Sequence, residues 1–208
     1  MKNICIITGY DKNYSEIAKI TIPNFLEYCN IHSIDLHIST KNLNSNIHWG
    51  WNKYFIIKQI INKYEWIVWI DIDCLFINTK KDIRQLIDDN YSLIIGNNYV
   101  IPNWYTEDNS YIENGVFLLK NDEISNKMLD RFLSDNISYT HPWVDQYKMI
   151  VELKNNIEFV DKVKKIDMID INATEQFNYK KEEIFIYHCA GGENYNVVER
   201  IKLLKSKL

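Results

Sequence analysis

A chain of 208 residues with 46% hydrophobic and 13% aromatic content can bury one sizeable core, and no linker rich in Pro, Gly or Ser divides it. Its formal charge of −4 supplies no basic field for wrapping a nucleic acid backbone, so a nucleic-acid partner is not expected. The four cysteines, Cys5, Cys29, Cys74 and Cys189, form no C-x-x-C pair and read as buried free thiols rather than a zinc site.

The first apolar run is too short to span a membrane, and no cleavage-site pattern follows it. A soluble, cytoplasmic protein with no transmembrane segment is expected, in the cytoplasm of a host if the source is viral. Oligomeric state is not legible.

In chain order, the Ile-rich run "NICIITGY" predicts a buried first strand that stops at Gly9. A helix over Tyr14 to Asn30 follows, with Ile17, Ile20, Phe25 and Tyr28 on its inner face and Pro23 as a potential kink. "IDLHIS" alternates as a second strand, and a polar loop succeeds it. Phe55, Ile56, Ile60, Ile61 and Tyr64 fall near helical spacing, and this helix feeds directly into a third strand, "WIVWID".

Further along, the pattern predicts a helix near residues 81 to 89, a strand "YSLIIG", a loop holding Pro102 and Trp104, and a strand "NGVFLLK". Helices over Glu123 to Leu133 and Pro142 to Leu153 come next, the second capped by Thr140 or His141. "EIFIYHCAGG" reads as a last strand, and Glu193 to Leu208 as a closing helix with Val197, Val198, Ile201 and Leu204 on one face. The alternation of strand and helix predicts an α/β fold with a mostly parallel central sheet flanked by helices. In such sheets ligands sit beyond the carboxyl ends of the strands.

Two features occupy such ends, "TGY" after the first strand and "DID" after the third. Residues i and i+2 of an extended segment point to one side, so Asp71 and Asp73 can present two oxygens to a single divalent cation. Mg²⁺ and Mn²⁺ typically take only one or two protein carboxylates and share substrate phosphates. The apolar residues on both sides of the pair set it at the edge of a buried region, where idle carboxylates would be costly.

With these residues in place, the chain resembles the metal-dependent glycosyltransferases of the GT-A fold. "WNKYFIIKQIINKYEWIVWIDIDCLFIN" is most similar to family 34, with its W-x-K, apolar helix and W-I-x-W-x-D-x-D. "ENGVFLLKN" is similar to that family's N-x-G-x-F-L-x-x-N, "WVDQ" to its D-Q or E-Q segment, and "FIYHCAGG" to its F-x-x-H-x-x-G. The N-G and D-Q elements also resemble family 8, the glycogenin-like transferases. Together these signals span roughly residues 3 to 192.

The resemblance implies a single GT-A domain over residues 1–208, with residues 1–100 binding nucleotide and metal and residues 101–208 binding sugar and acceptor. It implies Asp73 as the direct ligand of Mn²⁺ or Mg²⁺, Asp71 as a second ligand or a partner of the donor ribose, and His188 as the ligand from the last strand. A core histidine is the plainer reading of a lone His. Thr8, Gly9 and Tyr10 would meet the nucleotide base, Tyr10 by stacking or simply by packing. Lys53 would neutralise phosphate or bond Asp71. Gly191 and Gly192 would let backbone N–H groups approach the diphosphate, although a plain turn has the same signature.

For the transferred sugar the implied residues are Asn114, Gly115, Asp145 and Gln146, with Gln146 near the anomeric carbon. Asp145 also suits the first turn of a helix as a complement to its dipole. The expected activity moves a hexose-type sugar from a UDP-sugar donor to a glycan or other hydroxyl acceptor, with retention. Asp73→Asn is expected to abolish metal-dependent binding and leave the fold intact.

The chain departs from its models in places. No counterpart of the Golgi anchor of many family 34 enzymes is expected, and no Lys follows H-x-x-G as in family 8, which makes Lys53 the expected phosphate partner. A haloacid-dehalogenase-like phosphatase is an alternative, but Cys74 and Leu75 stand where its D-x-D-G-T motif continues. A non-catalytic protein that binds a sugar nucleotide or a glycan is another. Trp104 and Tyr105 suit stacking on an acceptor sugar or covering the core.

Overall fold

The computed structural model describes residues 2–43, 49–98, 111–134, 144–175, 179–190 and 196–208. β1 (Ile4–Gly9) is wholly buried and is followed by α1 (Ser15–His32) and β2 (Asp35–Ser39). α1 outruns its expected end at Asn30 because Ser33 closes it in a left-handed conformation, its N–H reaching the Asn30 and Cys29 carbonyls. Ile17, Phe25 and Tyr28 are buried on the inner face as expected, whereas Ile20 is only half-buried.

α2 (Asn52–Ile60) tightens into a 3-10 turn over Ile61–Lys63 and leads into β3 (Trp66–Ile70), all five of whose residues are buried. A short β4 (Cys74–Phe76) lies just beyond the D-x-D residues. The helix expected near residues 81 to 89 is only a single 3-10 turn, Ile83–Leu86. Asp82 caps it, and Ile87 is already extended, so the segment turns once and moves on to β5 (Leu93–Asn97).

β6 (Ile112–Lys120), α3 (Glu123–Leu133), α4 (Val144–Asn155), the one-turn α5 (Ile157–Val160) and β7 (Val163–Asp167) follow. The last strand, β8 (Ile186–His188), has three residues rather than the longer run expected, because its partner β4 is equally short. α6 (Val197–Lys207) closes the chain. Its apolar face differs from the expected one: Leu204 is buried and Ile201 half-buried, but Val198 is exposed. The loop of Pro102, Trp104 and Tyr105, the caps Thr140 and His141 with Pro142, and the glycines Gly191 and Gly192 lie outside the described residues.

Among the described residues six strands form one sheet in the order β2-β1-β3-β6-β5-β7, and β4 pairs with β8 in a second, two-stranded sheet. Only β6 runs against the other five, so the main sheet is mostly parallel. Apolar residues on both faces match this burial. One face carries Ile7, Trp69, Phe117 and Leu119 against Tyr54, Ile57 and Phe132; the other carries Ile6, Val68, Ile70 and Leu118 with Phe25 and Tyr28 of α1.

Two details of this packing position the site. Pairing of β5 with β6 jumps from Ile95–Phe117 to Gly96–Glu113, so residues 114–116 bulge where β6 passes the carboxyl end of β3. Asn24 of α1 bonds both backbone groups of Phe76, at 2.8 and 3.0 Å, and Tyr28 stacks on the Phe76 ring with centroids 3.6 Å apart. β4, and with it the residues just ahead of it, is thereby anchored to α1.

Candidate metal and donor site

β3 ends at Ile70, and the chain turns instead of staying extended through Asp71 and Asp73. The Asp71 N–H donates to Gly115 O at 2.7 Å, and the Cys74 N–H returns to Asp71 O at 3.1 Å. This turn sends the two carboxylates to different partners, where an extended segment would have aimed both one way.

Asp73 is buried, and its Oδ1 lies 3.4 Å from His188 Nε2. The pairing of β4 with β8 sets Cys74 opposite His188, and the Cys189 N–H donates to Asp73 O at 3.0 Å. Residues 115 positions apart in the chain are thus registered by backbone hydrogen bonds. Burial depresses the His188 pKa, and nearby Asp71 and Glu113 do not restore it, so the ring is neutral at pH 7. His188 Nδ1 has no hydrogen-bond partner among the described residues.

These groups fit a divalent cation. Two cis ligands of an octahedral ion at ~2.1 Å are ~3.0 Å apart, close to the Asp73–His188 separation. Among the described residues, Asp73, Cys74 and His188 form the one cluster of potential metal ligands. Burial pushes the Cys74 thiol far up, which keeps it an S–H, and hard Mg²⁺ or Mn²⁺ favours the carboxylate and imidazole over it. Asp71 falls outside this cluster.

Asp71 belongs instead to a network built on Lys53. The Trp69 indole N–H donates to Asp71 Oδ1 at 2.6 Å, and Lys53 Nζ is 3.4 Å from the same oxygen. Lys53 is 5% exposed, not a solvated helix lysine, and its Nζ also lies 2.8 Å from Asp145 Oδ2 and 3.3 Å from Asn114 O. Burial opposes a charge on Lys53, but Asp145 and Asp71 outweigh it and hold the ammonium above the ordinary lysine range. Burial likewise opposes ionisation of Asp145, yet the Lys53 ammonium and the Asn114 amide keep its carboxyl below the ordinary range.

Around this network the sugar-side candidates converge. Asn114 Nδ2 donates to Asp145 Oδ2 at 2.8 Å, and the Asn114 N–H donates to Gln146 Oε1 at 3.1 Å. Gln146 Nε2 reaches Tyr111 OH at 3.3 Å, and Tyr54 OH donates to Asp145 O at 3.0 Å. Asp145 and Gln146 sit in the first turn of α4, and Asp145 is committed to this network.

At the end of β1, Thr8 is buried with its hydroxyl unpartnered among the described residues. Gly9 is hemmed in by Ile56 Cδ1 and Ser39 O, which a Cβ would meet at 3.1 and 3.3 Å. Tyr10 is partly buried against the α1-side core, its N–H on Ser39 O at 3.0 Å.

Two residues escaped the sequence reading. Arg200, on α6, is buried with its guanidinium paired to Asp73 Oδ2. Its signal was its spacing four residues before buried Leu204, which puts both on one helical stripe. Glu113 is the other: counting back from Gly115 in N-x-G spacing lands on it, not on Asn114. Burial raises its carboxyl pKa, against the pull of His188 and of the Asn98 amide bonded at 2.9 Å.

Comparison with known proteins follows the same outline. The model of the galactosyl transferase GMA12/MNN10 family matches residues 1–196. Xyloglucan 6-xylosyltransferase 4 of Arabidopsis thaliana is 28% identical over 114 residues, which cover 52% of this chain and 22% of that protein. The chain thus spans under a quarter of the length of the curated relatives it matches.

Among solved structures, a glycosyltransferase involved in glycosylation of the major capsid of PBCV-1 superposes with a TM-score of 0.76 at 19% identity, covering 98% of each chain. A mutant of Drosophila beta1,4-galactosyltransferase 7 in complex with manganese, UDP-Gal and xylobiose gives a TM-score of 0.55 at 10% identity, covering 97% of this chain and 80% of that one. At these identities the likeness establishes a GT-A fold.

Proposed function

The chain belongs to the galactosyl transferase GMA12/MNN10 family, and on that premise we propose that it is a retaining, divalent-metal-dependent glycosyltransferase. It moves a hexose-type sugar from a UDP-sugar to a hydroxyl of a glycan or other acceptor. The observation that carries this reading is the buried Asp73 carboxylate 3.4 Å from the neutral His188 imidazole, beyond the carboxyl end of β3 and beside the β4–β8 pair. The manganese and UDP-Gal bound by the Drosophila neighbour support the same ligand classes.

Asp73 and His188 would hold Mn²⁺ or Mg²⁺, which when bound stabilises the negative charge that grows on the leaving diphosphate. Opposite unit charges ~4 Å apart attract by about 4 kcal/mol at an effective dielectric of ~20, more than a single charged hydrogen bond contributes. Lys53 holds Asp71 and Asp145 in fixed positions, with Asp71 the more exposed of the two and open to a donor hydroxyl. Thr8, Gly9 and Tyr10 line the base side, and the assignment of Gly191 and Gly192 to the diphosphate rests on the resemblance to the family motif alone.

On the sugar side, Asn114, Asp145 and Gln146 orient the transferred ring through their shared hydrogen bonds. Gln146 faces the anomeric carbon opposite the leaving group. The acceptor proton passes to a departing phosphate oxygen, so no protein base is required. In this scheme residues 1–100 serve nucleotide and metal and residues 101–208 serve sugar and acceptor, with His188 crossing from the second set to the first.

A thermal-shift screen of UDP- and GDP-sugars with and without Mn²⁺ tests the proposal, since a ligand that binds only the native state raises its melting temperature. A rise with Mn²⁺ and a uridine donor together is expected. No metal-dependent rise with any donor overturns the proposal, and so does hydrolysis of simple phosphate esters in preference to donor sugars.

A further inference from the structure

We propose that Arg200 is an internal counter-ion of the metal site, which holds Asp73 while the site is free of cation and swings its charge to the donor diphosphate when a cation arrives. The inference rests on the metal and diphosphate reading above and adds to it a mechanism that makes the two ligands bind together.

The two oxygens of Asp73 are divided between two partners. Oδ1 faces His188 Nε2 at 3.4 Å, and Oδ2 carries the Arg200 guanidinium. Asp73 is 6% exposed and Arg200 5%, so this is a buried ion pair. Stability alone is a poor reason for such a pair, because well-packed apolar residues of similar volume often serve as well or better. A pair at the edge of a candidate cation site has another use.

Arg200 is also held by groups that do not depend on Asp73. Its Nη1 donates to Tyr14 OH at 3.3 Å, its Nη2 to Cys189 O at 3.2 Å, and its guanidinium lies over the Tyr14 ring at 5.2 Å. These neutral contacts tether the guanidinium beside the site whether or not the carboxylate is available. Arg200 Nε is buried with no acceptor among the described residues, leaving a donor unspent. A planar guanidinium with a free donor is well suited to phosphate oxygens.

Charge decides what happens when a cation arrives. A divalent ion on Asp73 and His188 would share a carboxylate with a guanidinium, and the two like charges repel at close range in a dry setting. A diphosphate removes the conflict by accepting from Arg200 and approaching the cation at once. The cation alone therefore binds weakly, the diphosphate strengthens it, and by linkage the cation strengthens the diphosphate equally.

The experiment is calorimetric titration of the whole chain with Mn²⁺, with UDP, and with Mn²⁺ in the presence of UDP, for the unaltered protein, Arg200→Gln and Arg200→Lys. Removing the charge in Arg200→Gln is expected to tighten binding of Mn²⁺ alone by about tenfold and to shrink the enhancement by UDP to a similar degree. Arg200→Lys keeps the charge and is expected to bind Mn²⁺ alone as weakly as the unaltered chain. Mn²⁺ binding by Arg200→Gln that is unchanged or weaker marks Arg200 as mere support for Asp73 and overturns the inference, as does tight binding by Arg200→Lys.

If Arg200→Gln does not fold, nitrogen NMR of the Arg200 guanidinium in the unaltered chain decides the question. Its signals must move on addition of Mg²⁺ and UDP with the midpoint of binding; unmoved signals overturn the inference. Failure of the unaltered chain to bind Mn²⁺ and UDP in any combination defeats the proposed function and this inference together, whereas binding with coupling indifferent to Arg200 defeats the inference alone.

Discussion

Gly115 lies directly beneath the His188 imidazole: a Cβ at residue 115 would press on His188 Cε1 and come within 2.5 Å of Nδ1. The φ of Gly115 is not positive, so the position needs the space of glycine rather than its backbone freedom. Gly115→Ala is expected to push the ring off Asp73 and weaken Mn²⁺ binding by ~10–100-fold, the range typical of lost ligand support. Overpacking adds about 1–3 kcal/mol of destabilisation. Mn²⁺ titration beside urea denaturation checks both, and unchanged Mn²⁺ affinity would remove His188 from the ligand set.

Asp73→Asn has two consequences, and Arg200 is the cause of the second. Cation binding is expected to vanish, since an amide carries no charge and His188 alone holds Mn²⁺ poorly. The buried guanidinium also loses its countercharge. Removing one partner of a buried pair costs about 3–5 kcal/mol, with the amide oxygen recovering part of it. The variant is therefore expected to melt below the unaltered chain even without metal, contrary to the expectation from sequence that the fold would be untouched. Adding Arg200→Gln to Asp73→Asn should restore part of the loss, and thermal melts of the four chains measure it.

Lys53 is the hub between Asp71, in the turn after β3, and Asp145, in the first turn of α4. Lys53→Met leaves two carboxylates without their cation and is expected to cost about 3–5 kcal/mol at neutral pH. The pH dependence has a definite sign. Asp145 titrates below its ordinary value in the folded chain, so its stabilisation is present above that value and is lost as pH falls through the folded pKa. Lys53 titrates above its ordinary value, so its share is present below that value and is lost as pH rises through the folded pKa. A double-mutant cycle of Lys53→Met with Asp145→Asn should show a coupling of ~0.5–3 kcal/mol at pH 7 that fades in acid.

What the sequence disclosed about this architecture follows the range of the forces involved. β1, β3 and α3 were legible because their patterns are local: continuous apolar runs, or Asp122 bonding the Ser125 N–H at the helix start. The segment near residue 81 carries Ile83 and Leu86 at helical spacing, but tertiary contacts hold it to a single 3-10 turn, with the Ile83 N–H donating to Tyr28 OH at 2.8 Å. Asp73 and His188 were paired through resemblance to family motifs; nothing local in either segment announces the other. Arg200 escapes local pattern for the same reason, since its partner lies 127 positions away and the apolar spacing singles out Val198, which faces solvent.

Glu113 offers a test that needs no ligand. The Glu113 carboxyl lies close enough to His188 to feel its charge, and Asn98 Nδ2 donates to it at 2.9 Å. Burial lifts its pKa above the ordinary glutamate value, so the folded chain retains a proton that the unfolded chain releases. Between those two values stability falls as pH rises, and the full cost is felt above the folded pKa. Glu113→Gln keeps an oxygen to accept from Asn98 and removes the charge. Its melting temperature should exceed that of the unaltered chain at about pH 8 and converge with it near pH 4, where both carry a neutral group. A gap that stays constant across the range would mean that the carboxyl titrates normally and that its charge is matched by the surroundings.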